Sequence, residues 1–439
     1  MSTVAPLERI AASHARRASA LAGGAAWARR RRSALERLVA RGLPDRRDEN
    51  WRYLDHGRIG EYAFEAEPAG RADPAAMGSR LLAMDGAHRV VLVDGRYDAA
   101  LSTAAAHGIE VTDLARLIER DPDAALALVR EPGNDADDRY ALLADAFAGG
   151  GVAIRLAPGH QLPVPVYLVH VAAAATAGVH HARVVVETGA GSRMTLVEHF
   201  LALGDAETLG NLAAEIELGE GAALTHVRLH QHGPAAAQVE TWVVRAAERS
   251  RYEQHLLALG GRILRSNLGI TLDGARAACR LDGLFLADGE RQVDLLTRVR
   301  HRGAATETAQ DYRGIATDRG RGAFNGHIIV EPGARGANAS QSTRNLLLSP
   351  LAEINARPQL EISVDDVQCR HVATTGTLDA GQLFYLRSRG LDEASARALL
   401  TFAFCRDVIG RVPLGAVREA AEALVAGALP DRELIRGSA

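Results

Sequence analysis

A recurring unit of strand followed by turn constrains this chain more than any other feature of its sequence. Short β-branched runs, such as 184–186 and 328–330, alternate with glycine-containing breaks. The turns fall 27–30 residues apart, at Gly189, Gly219, Ala247, Gly274, Gly303 and Gly333. A period of this size is typical of a stacked solenoid, in which each coil buries its inward face only against its neighbours.

The repeat predicts a mainly β protein whose core is a right-handed parallel β-helix over residues 150–378. A helical and mixed domain, 1–149, would precede the β-helix, and a helical domain, 379–439, would follow it. We expect the glycines at the turns to supply positive φ where the chain rounds a corner. A β-sandwich with hairpins of regular length is the alternative, but the recurring Gly-Ala-x turns at 274, 303 and 333 favour the solenoid.

The composition excludes several classes of function. The chain has 439 residues, a net charge of −3 and 24% charged residues, so nothing general points to nucleic acid or an anionic membrane. All its basic residues are arginine, which excludes a lysine Schiff base or a P-loop lysine. Aromatic residues make up only 4%, so Val, Leu, Ile and Ala must fill the core, as suits a narrow solenoid interior.

Three cysteines are too few and too far apart for a disulfide framework or a CxxC metal knuckle. A reducing, cytoplasmic location is therefore the expectation. The Arg-rich segment 16–32 has the apolar spacing of an amphipathic helix and lacks the uninterrupted apolar core of a secretory signal. No apolar run is long enough to cross a bilayer.

No constellation typical of an enzyme emerges. The sequence has no phosphate-cradling Gly-Lys motif, no G-x-S-x-G elbow and no dinucleotide fingerprint, and we interpret the Gly-rich run 319–326 as a solenoid turn. A polysaccharide-acting β-helix enzyme would need aromatic subsites and clustered acids, which this aromatic-poor chain does not offer. We expect a protein that is not an enzyme.

Four motifs follow one another between residues 346 and 390. They read Leu-Leu-Leu-Ser at 346–349, Pro-Gln-Leu-Glu-Ile at 358–362, Asp-Asp-Val-Gln-Cys-Arg-His at 365–371 and Phe-Tyr-Leu-Arg-Ser-Arg-Gly at 384–390. In this order they resemble the core of the SufB/SufD family of the SUF iron–sulfur cluster assembly system. The element Glu-Asn-Trp-Arg-Tyr at 49–53 is similar to the N-terminal element of SufD-type members. Val372 departs from the family pattern, which has Gly after the motif His; because Val does not tolerate positive φ well, the local geometry after His371 stays open at this point.

Cys369 and His371 are the candidate metal ligands. On a strand, residues i and i+2 point to the same face, so a thiol and an imidazole would stand side by side, and both can bind iron. The alternative is a structural pair, with a small buried thiol and an imidazole bonded to backbone.

The resemblance adds expectations about partners and cargo. It implies a scaffold subunit that forms a heterodimer with SufB near 340–375 and binds the SufC ATPase through its C-terminal helical domain. It also implies a transient iron–sulfur cluster shared with SufB, in which His371 takes part more directly than Cys369; a reduced flavin in the complex is left open. A purely structural solenoid adaptor with no metal role is the competing hypothesis.

Other candidate residues favour packing roles. Cys279 is predicted in a solenoid turn and Cys405 in an apolar helix, both as packing residues. His230 and His232 would share a strand face, but no third metal ligand is evident. Trp51, together with Tyr53, is expected to anchor the N-terminal domain on the solenoid.

Overall fold

A computed structural model describes residues 4–18, 21–62, 70–103, 108–132 and 139–429. Within these ranges the chain forms nineteen strands. They are β1 His88–Val93, β2 Arg96–Tyr97, β3 Ile109–Asp113, β4 Gly151–Leu156, β5 Val166–Ala172, β6 Gly178–Thr188, β7 Arg193–Ala202, β8 Thr208–Leu218, β9 Ala223–Gln231, β10 Ala237–Ala246, β11 Arg251–Ala258, β12 Ile263–Leu272, β13 Ala278–Ala287, β14 Gln292–His301, β15 Glu307–Ala316, β16 Arg321–Val330, β17 Ala337–Leu347, β18 Glu353–Ile362 and β19 Val367–Gly376.

The strands form two sheets that share every coil. From β4 onward the chain alternates between the sheets, and each strand pairs in parallel with the strand two places away. The ten-stranded sheet ends at β19 and the nine-stranded sheet ends at β18. The parallel solenoid is therefore confirmed, and the β-sandwich alternative is wrong. Strands β1 and β3, inside the segment 1–149, extend the two sheets at the other end.

The turn glycines have a different physical role from the one expected. Positive φ occurs two residues later in five of the turns, at Gly191, Gly221, Arg249, Arg276 and Ala305. A Cβ on Gly189, Gly219, Gly274 or Gly303 would instead collide with the backbone of the preceding coil. These glycines are required because successive turns stack with their backbones in contact.

Ten α-helices flank the strands within the same described ranges, together with a short 3-10 helix at Glu49–Trp51. The α-helices are α1 Val4–Arg17, α2 Gly24–Arg41, α3 His56–Glu61, α4 Pro74–Gly78, α5 Leu114–Arg120, α6 Pro122–Leu128, α7 Arg139–Ala146, α8 Ala380–Ser388, α9 Glu393–Ile409 and α10 Gly415–Ala428. No helix of the described residues is both long and apolar enough to span a membrane.

The N-terminal helices are joined to the solenoid by buried ion pairs and one tryptophan. Asp145 on α7 pairs with Arg30 on α2 at 2.8 Å and with Arg183 on β6 at 2.7 Å. Trp51 is fully buried, stacks on Tyr140 at 5.3 Å between ring centroids, and lies under the Arg265 guanidinium at 4.3 Å. Trp51 therefore anchors the N-terminal segment on the solenoid, as expected.

The C-terminal helices pack on the outer face of the ten-stranded sheet. Phe402 and Val408 of α9 and Val417 of α10 join Leu257 and Leu284 of the sheet in one apolar cluster. This packing leaves the last coil of the solenoid, at β18 and β19, uncovered by α9 and α10.

Candidate functional site at the open end of the solenoid

The last coil presents two sheet edges that have no further strand. β19 pairs only with β17, and β18 only with β16. Most of β19 is exposed, as are Ile362 (45%) and Val372 (53%). An edge strand offers unpaired backbone N–H and C=O groups, so an open edge of this kind favours docking of another chain.

Cys369 and His371 both lie in β19, at this edge. The register places Cys369 beside Ala339 and His371 beside Gln341 of β17. Cys369 is half-buried against the small apolar cluster that contains Ala339, whereas His371 is exposed. The thiol is therefore partly buried in the end of the solenoid, and the imidazole two residues on is accessible.

The environment of Cys369 does not activate its thiol. Partial burial raises the pKa of Cys369 above its ordinary value, and a hydrogen bond with the Ala339 backbone acts in the opposite direction. The thiolate is the form that attacks electrophiles and binds metals. A metal ion could still displace the thiol proton, but Cys369 is not set up as a nucleophile in this chain.

Val372 continues β19 without disturbance. It lies beside Ser342 in the parallel register and does not have positive φ. The geometry after His371, which the sequence left open, is therefore that of a regular strand, and a strand readily accepts a β-branched residue such as Val.

Two ligands from one chain are too few to hold iron. Among the described residues, Cys369 and His371 have no third His, Cys, Asp or Glu donor close enough to complete a site. Iron in iron–sulfur clusters is held by Cys thiolates, with His replacing Cys in some centres. The arrangement can therefore contribute one or two ligands to a cluster whose remaining ligands come from another chain.

Below the open end, the solenoid interior contains a network of polar side chains that was not predicted from the sequence. Arg228 donates to Glu240 Oε1 at 2.5 Å and to Gln254 Oε1 at 3.0 Å, and Gln254 Nε2 donates to Tyr312 Oη at 3.3 Å. Gln341 lies closer to the open end and is only 2% exposed. The repeat could have indicated Gln341, because it lies 30 residues, or one coil, before His371. A polar residue in a strand is ordinarily taken to face solvent, however, and the sequence alone does not show which face of each strand points into the solenoid.

His226, His230 and His232 do not form a metal site. His226 bonds to Glu198 at 3.3 Å and to Tyr252 at 2.9 Å, and its pKa is lowered mainly by burial. His230 is fully buried 3.6 Å from Glu240, and burial holds its pKa well below the ordinary value. The His232 ring lies 5.9 Å from that of His230. These residues belong to the packed interior.

Cys279 and Cys405 are buried packing residues. Cys279 lies near the start of β13, not in a turn, and the turn prediction was wrong. Cys405 lies in α9, as predicted. Burial raises the pKa of each thiol to about 12.

One group of three potential metal ligands occurs among the described residues, and arginines already neutralise it. Glu253, His255 and Asp282 lie on the outer face of the ten-stranded sheet. Asp282 pairs with Arg280 at 2.8 Å and with Arg411 at 2.9 Å. A cation at this place would compete with two guanidinium groups for Asp282. The ion pair of Asp282 with Arg411 instead links the solenoid to the segment after α9.

A cavity on the outer face of the nine-stranded sheet is lined by arginines that mostly have acidic partners. It measures about 170 Å³. Its arginines include Arg183, Arg245 and Arg300, which pair with Glu215, Glu217 and Glu331 respectively. The pairing leaves little net charge to attract an anion, so the open end stays the better candidate site.

The chain is similar in sequence to known proteins of one family. Residues 170–404 match the family model described as "SUF system FeS cluster assembly, SufBD core domain". The iron–sulfur cluster assembly protein SufD of Escherichia coli is 30% identical over 85% of this chain and 86% of its own length. A SufBD family protein of Synechocystis is 26% identical over 89% and 88%, and SufD of Bacillus subtilis is 28% identical over 71% and 72%. With more than half of its length matched by the family model, the chain belongs to the SufB/SufD family of the SUF iron–sulfur cluster assembly system, in its SufD branch.

Proposed function

We propose that this chain is a scaffold subunit that holds a nascent iron–sulfur cluster between its open solenoid end and a SufB-like partner. The observation that carries the proposal is the exposed His371 on an edge strand, beside Cys369 and without a third ligand of its own. Iron and sulfide are the cargo of such a site. An imidazole exchanges more readily than a thiolate, which suits a scaffold that must release its cluster.

The partner is proposed from the edges of β18 and β19. A chain with the same solenoid ends in the same kind of open edges, so two such ends can pair strand against strand and bury Ile362 and Val372. This heterodimer places the 340–375 region at the interface. A preparation that remains an unchanged homodimer after SufB is added would contradict it.

The C-terminal helices are proposed to bind the SufC ATPase. None of the residues of α8 is buried, and Phe384 and Tyr385 are 74% and 63% exposed. Large exposed aromatic side chains on one short helix are typical of a protein-binding surface. We expect deletion of 382–439 to abolish SufC binding while the solenoid still folds; capture of SufC by the truncated chain would refute the assignment.

Within this proposal the chain is not itself an enzyme, and its location is the reducing cytoplasm. The three cysteines are free thiols, as a reducing compartment requires. ATP hydrolysis belongs to the separate SufC subunit.

The test is His371→Ala in the purified three-subunit complex. His371 is exposed, so the substitution should change the free energy of unfolding by no more than about 0.5 kcal/mol. Iron, acid-labile sulfide and visible absorbance should all fall, with a smaller fall for Cys369→Ala. Gln368→Ala is the matched control, since Gln368 is exposed on the same strand and faces the other side.

Full cluster loading in His371→Ala would remove the metal role. The chain would then be a structural adaptor, the competing hypothesis. The complex should be assembled before iron is measured, so that failed assembly is not mistaken for a lost ligand.

A further inference from the structure

The parallel register places one column of interior positions directly below His371. From the open end inward it contains His371 of β19, Gln341 of β17, Gln310 of β15, Leu281 of β13 and Gln254 of β11. Neighbouring strands lie about 4.8 Å apart, within the reach of a glutamine side chain. Gln341 is therefore the first polar side chain below the imidazole on its own sheet.

Gln341 is buried with its hydrogen-bonding capacity unused. It is 2% exposed, and neither Nε2 nor Oε1 has a hydrogen-bond partner among the described residues. A Cβ on Gly326, across the interior, would collide with the amide, so the missing side chain there leaves the amide its room. Several interior polar atoms near this end are unpaired within the described part of the chain, and Gln341 is the one whose register position lies directly beside His371, so its carbonyl is an acceptor available to a group on β19.

Its neighbours on β17 cannot take the same role. Ala339, beside Cys369, has no polar group, and Thr343 lies beside Ala373 rather than beside His371. Gln310 is one coil deeper, and its Oε1 already accepts a hydrogen bond from Thr297 at 2.8 Å. The free acceptor next to the imidazole is therefore Gln341 Oε1.

We propose that Gln341 is a positioning residue, whose side-chain carbonyl accepts the ring N–H of His371 and so presents the other ring nitrogen to iron. A metal-binding histidine nearly always donates its second ring N–H to such an acceptor, which fixes the tautomer and the ring orientation. The inference rests on the proposed function, in which His371 contacts the cluster. Gln341 itself contacts no iron.

The test reads the tautomer of His371 in the full-length chain within the cluster-loaded three-subunit complex, because Gln341 Oε1 has no hydrogen-bond partner among the described residues of the chain alone. Histidine is labelled with ¹⁵N, and the His371 signals are assigned by their loss in His371→Gln. The spectra are recorded near pH 8.5, and a free histidine side chain at the same pH serves as the reference for the unconstrained tautomer mixture. Gln341→Leu removes the acceptor at similar volume, Gln341→Glu keeps an acceptor, and Gln310→Leu is the same change one coil deeper.

We expect Gln341→Leu to move the tautomer ratio of His371 towards the mixture of a free imidazole, whereas Gln341→Glu and Gln310→Leu preserve it. In the three-subunit complex at limiting iron, Gln341→Leu should weaken iron retention by about 10–100-fold, and Gln310→Leu should not. An unchanged tautomer ratio in Gln341→Leu would overturn the inference.

The two proposals fail in different ways. If Gln341→Leu shifts the tautomer while His371→Ala still loads a full cluster, the positioning contact stands and the cluster role of His371 falls. If His371→Ala loses the cluster while the tautomer ratio of His371 is unchanged in Gln341→Leu, the proposed function stands and the positioning role is wrong.

Discussion

Truncation of Trp51 should release the N-terminal segment from the solenoid. The indole is fully buried between Tyr140 of α7 and the Arg265 guanidinium of β12. Burial and cavity terms for Trp→Ala amount to about 3–5 kcal/mol. The desolvated cation–π contact adds about 2 kcal/mol, and Arg265 keeps its ion pair with Asp294 at 2.7 Å after the change. Because such terms overlap, we expect Trp51→Ala to cost about 4–6 kcal/mol.

Native-state hydrogen exchange is the suitable assay, because a solenoid and its flanking helices need not unfold in one step. A loss of 4 kcal/mol reduces amide protection by about a thousandfold, since each 1.4 kcal/mol is a factor of ten. The loss should concentrate in α2 and α7 and spare strands β13–β17. Trp51→Phe should retain most of the protection, since the indole Nε1 has no hydrogen-bond partner within the described part of the chain.

Two results would refute this reasoning. One is a loss of less than tenfold in Trp51→Ala, which would mean that the ion pairs of Asp145 hold the segment without the tryptophan. The other is equal loss of protection in the Phe and Ala variants, which would mean that an aromatic ring at this position carries none of the energy.

Two further predictions follow from buried titratable groups. Burial lowers the pKa of His199 and of His301 to about 4, so both side chains are neutral in the folded protein at pH 5–7. In the unfolded chain they bind protons as the pH falls below about 6.5, so each should lower the free energy of unfolding by about 2 kcal/mol between pH 7 and pH 5. Urea unfolding of the double variant His199→Gln/His301→Gln should therefore show a flatter dependence on pH. At pH 8 Cys369 should be alkylated well before Cys279 and Cys405, both fully buried with raised pKa values; mass spectrometry showing either buried thiol modified first would contradict the burial described here.

The fold could be predicted from the sequence because a solenoid is specified locally. Each coil repeats the same strand and turn, so turns 27–30 residues apart were enough to indicate a parallel stack. The role of the turn glycines could not be predicted in the same way. Whether Gly303 needs positive φ or backbone contact depends on how closely the next coil approaches, and that distance exists only after stacking.

For the candidate site as well, one part could be predicted from the sequence and another part depends on how the strands pair. The spacing of Cys369 and His371 places them on one face of one strand, a consequence of strand geometry that needs no tertiary information. That His371 is exposed, that Cys369 is half-buried and that Gln341 lies below the imidazole are results of the register between β17 and β19. A slip of one residue would turn every one of these side chains to the opposite face.

The sequence by itself therefore determined the repeating architecture, the family and the residues that can carry the chemistry. Only the tertiary structure decided which polar side chains face inward, because an interior position is defined by the sheet across the coil, as Gly326 is for Gln341. It also decided that the two sheets end in open edges at β18 and β19, since an edge is the absence of a further neighbour and not a property of the strand.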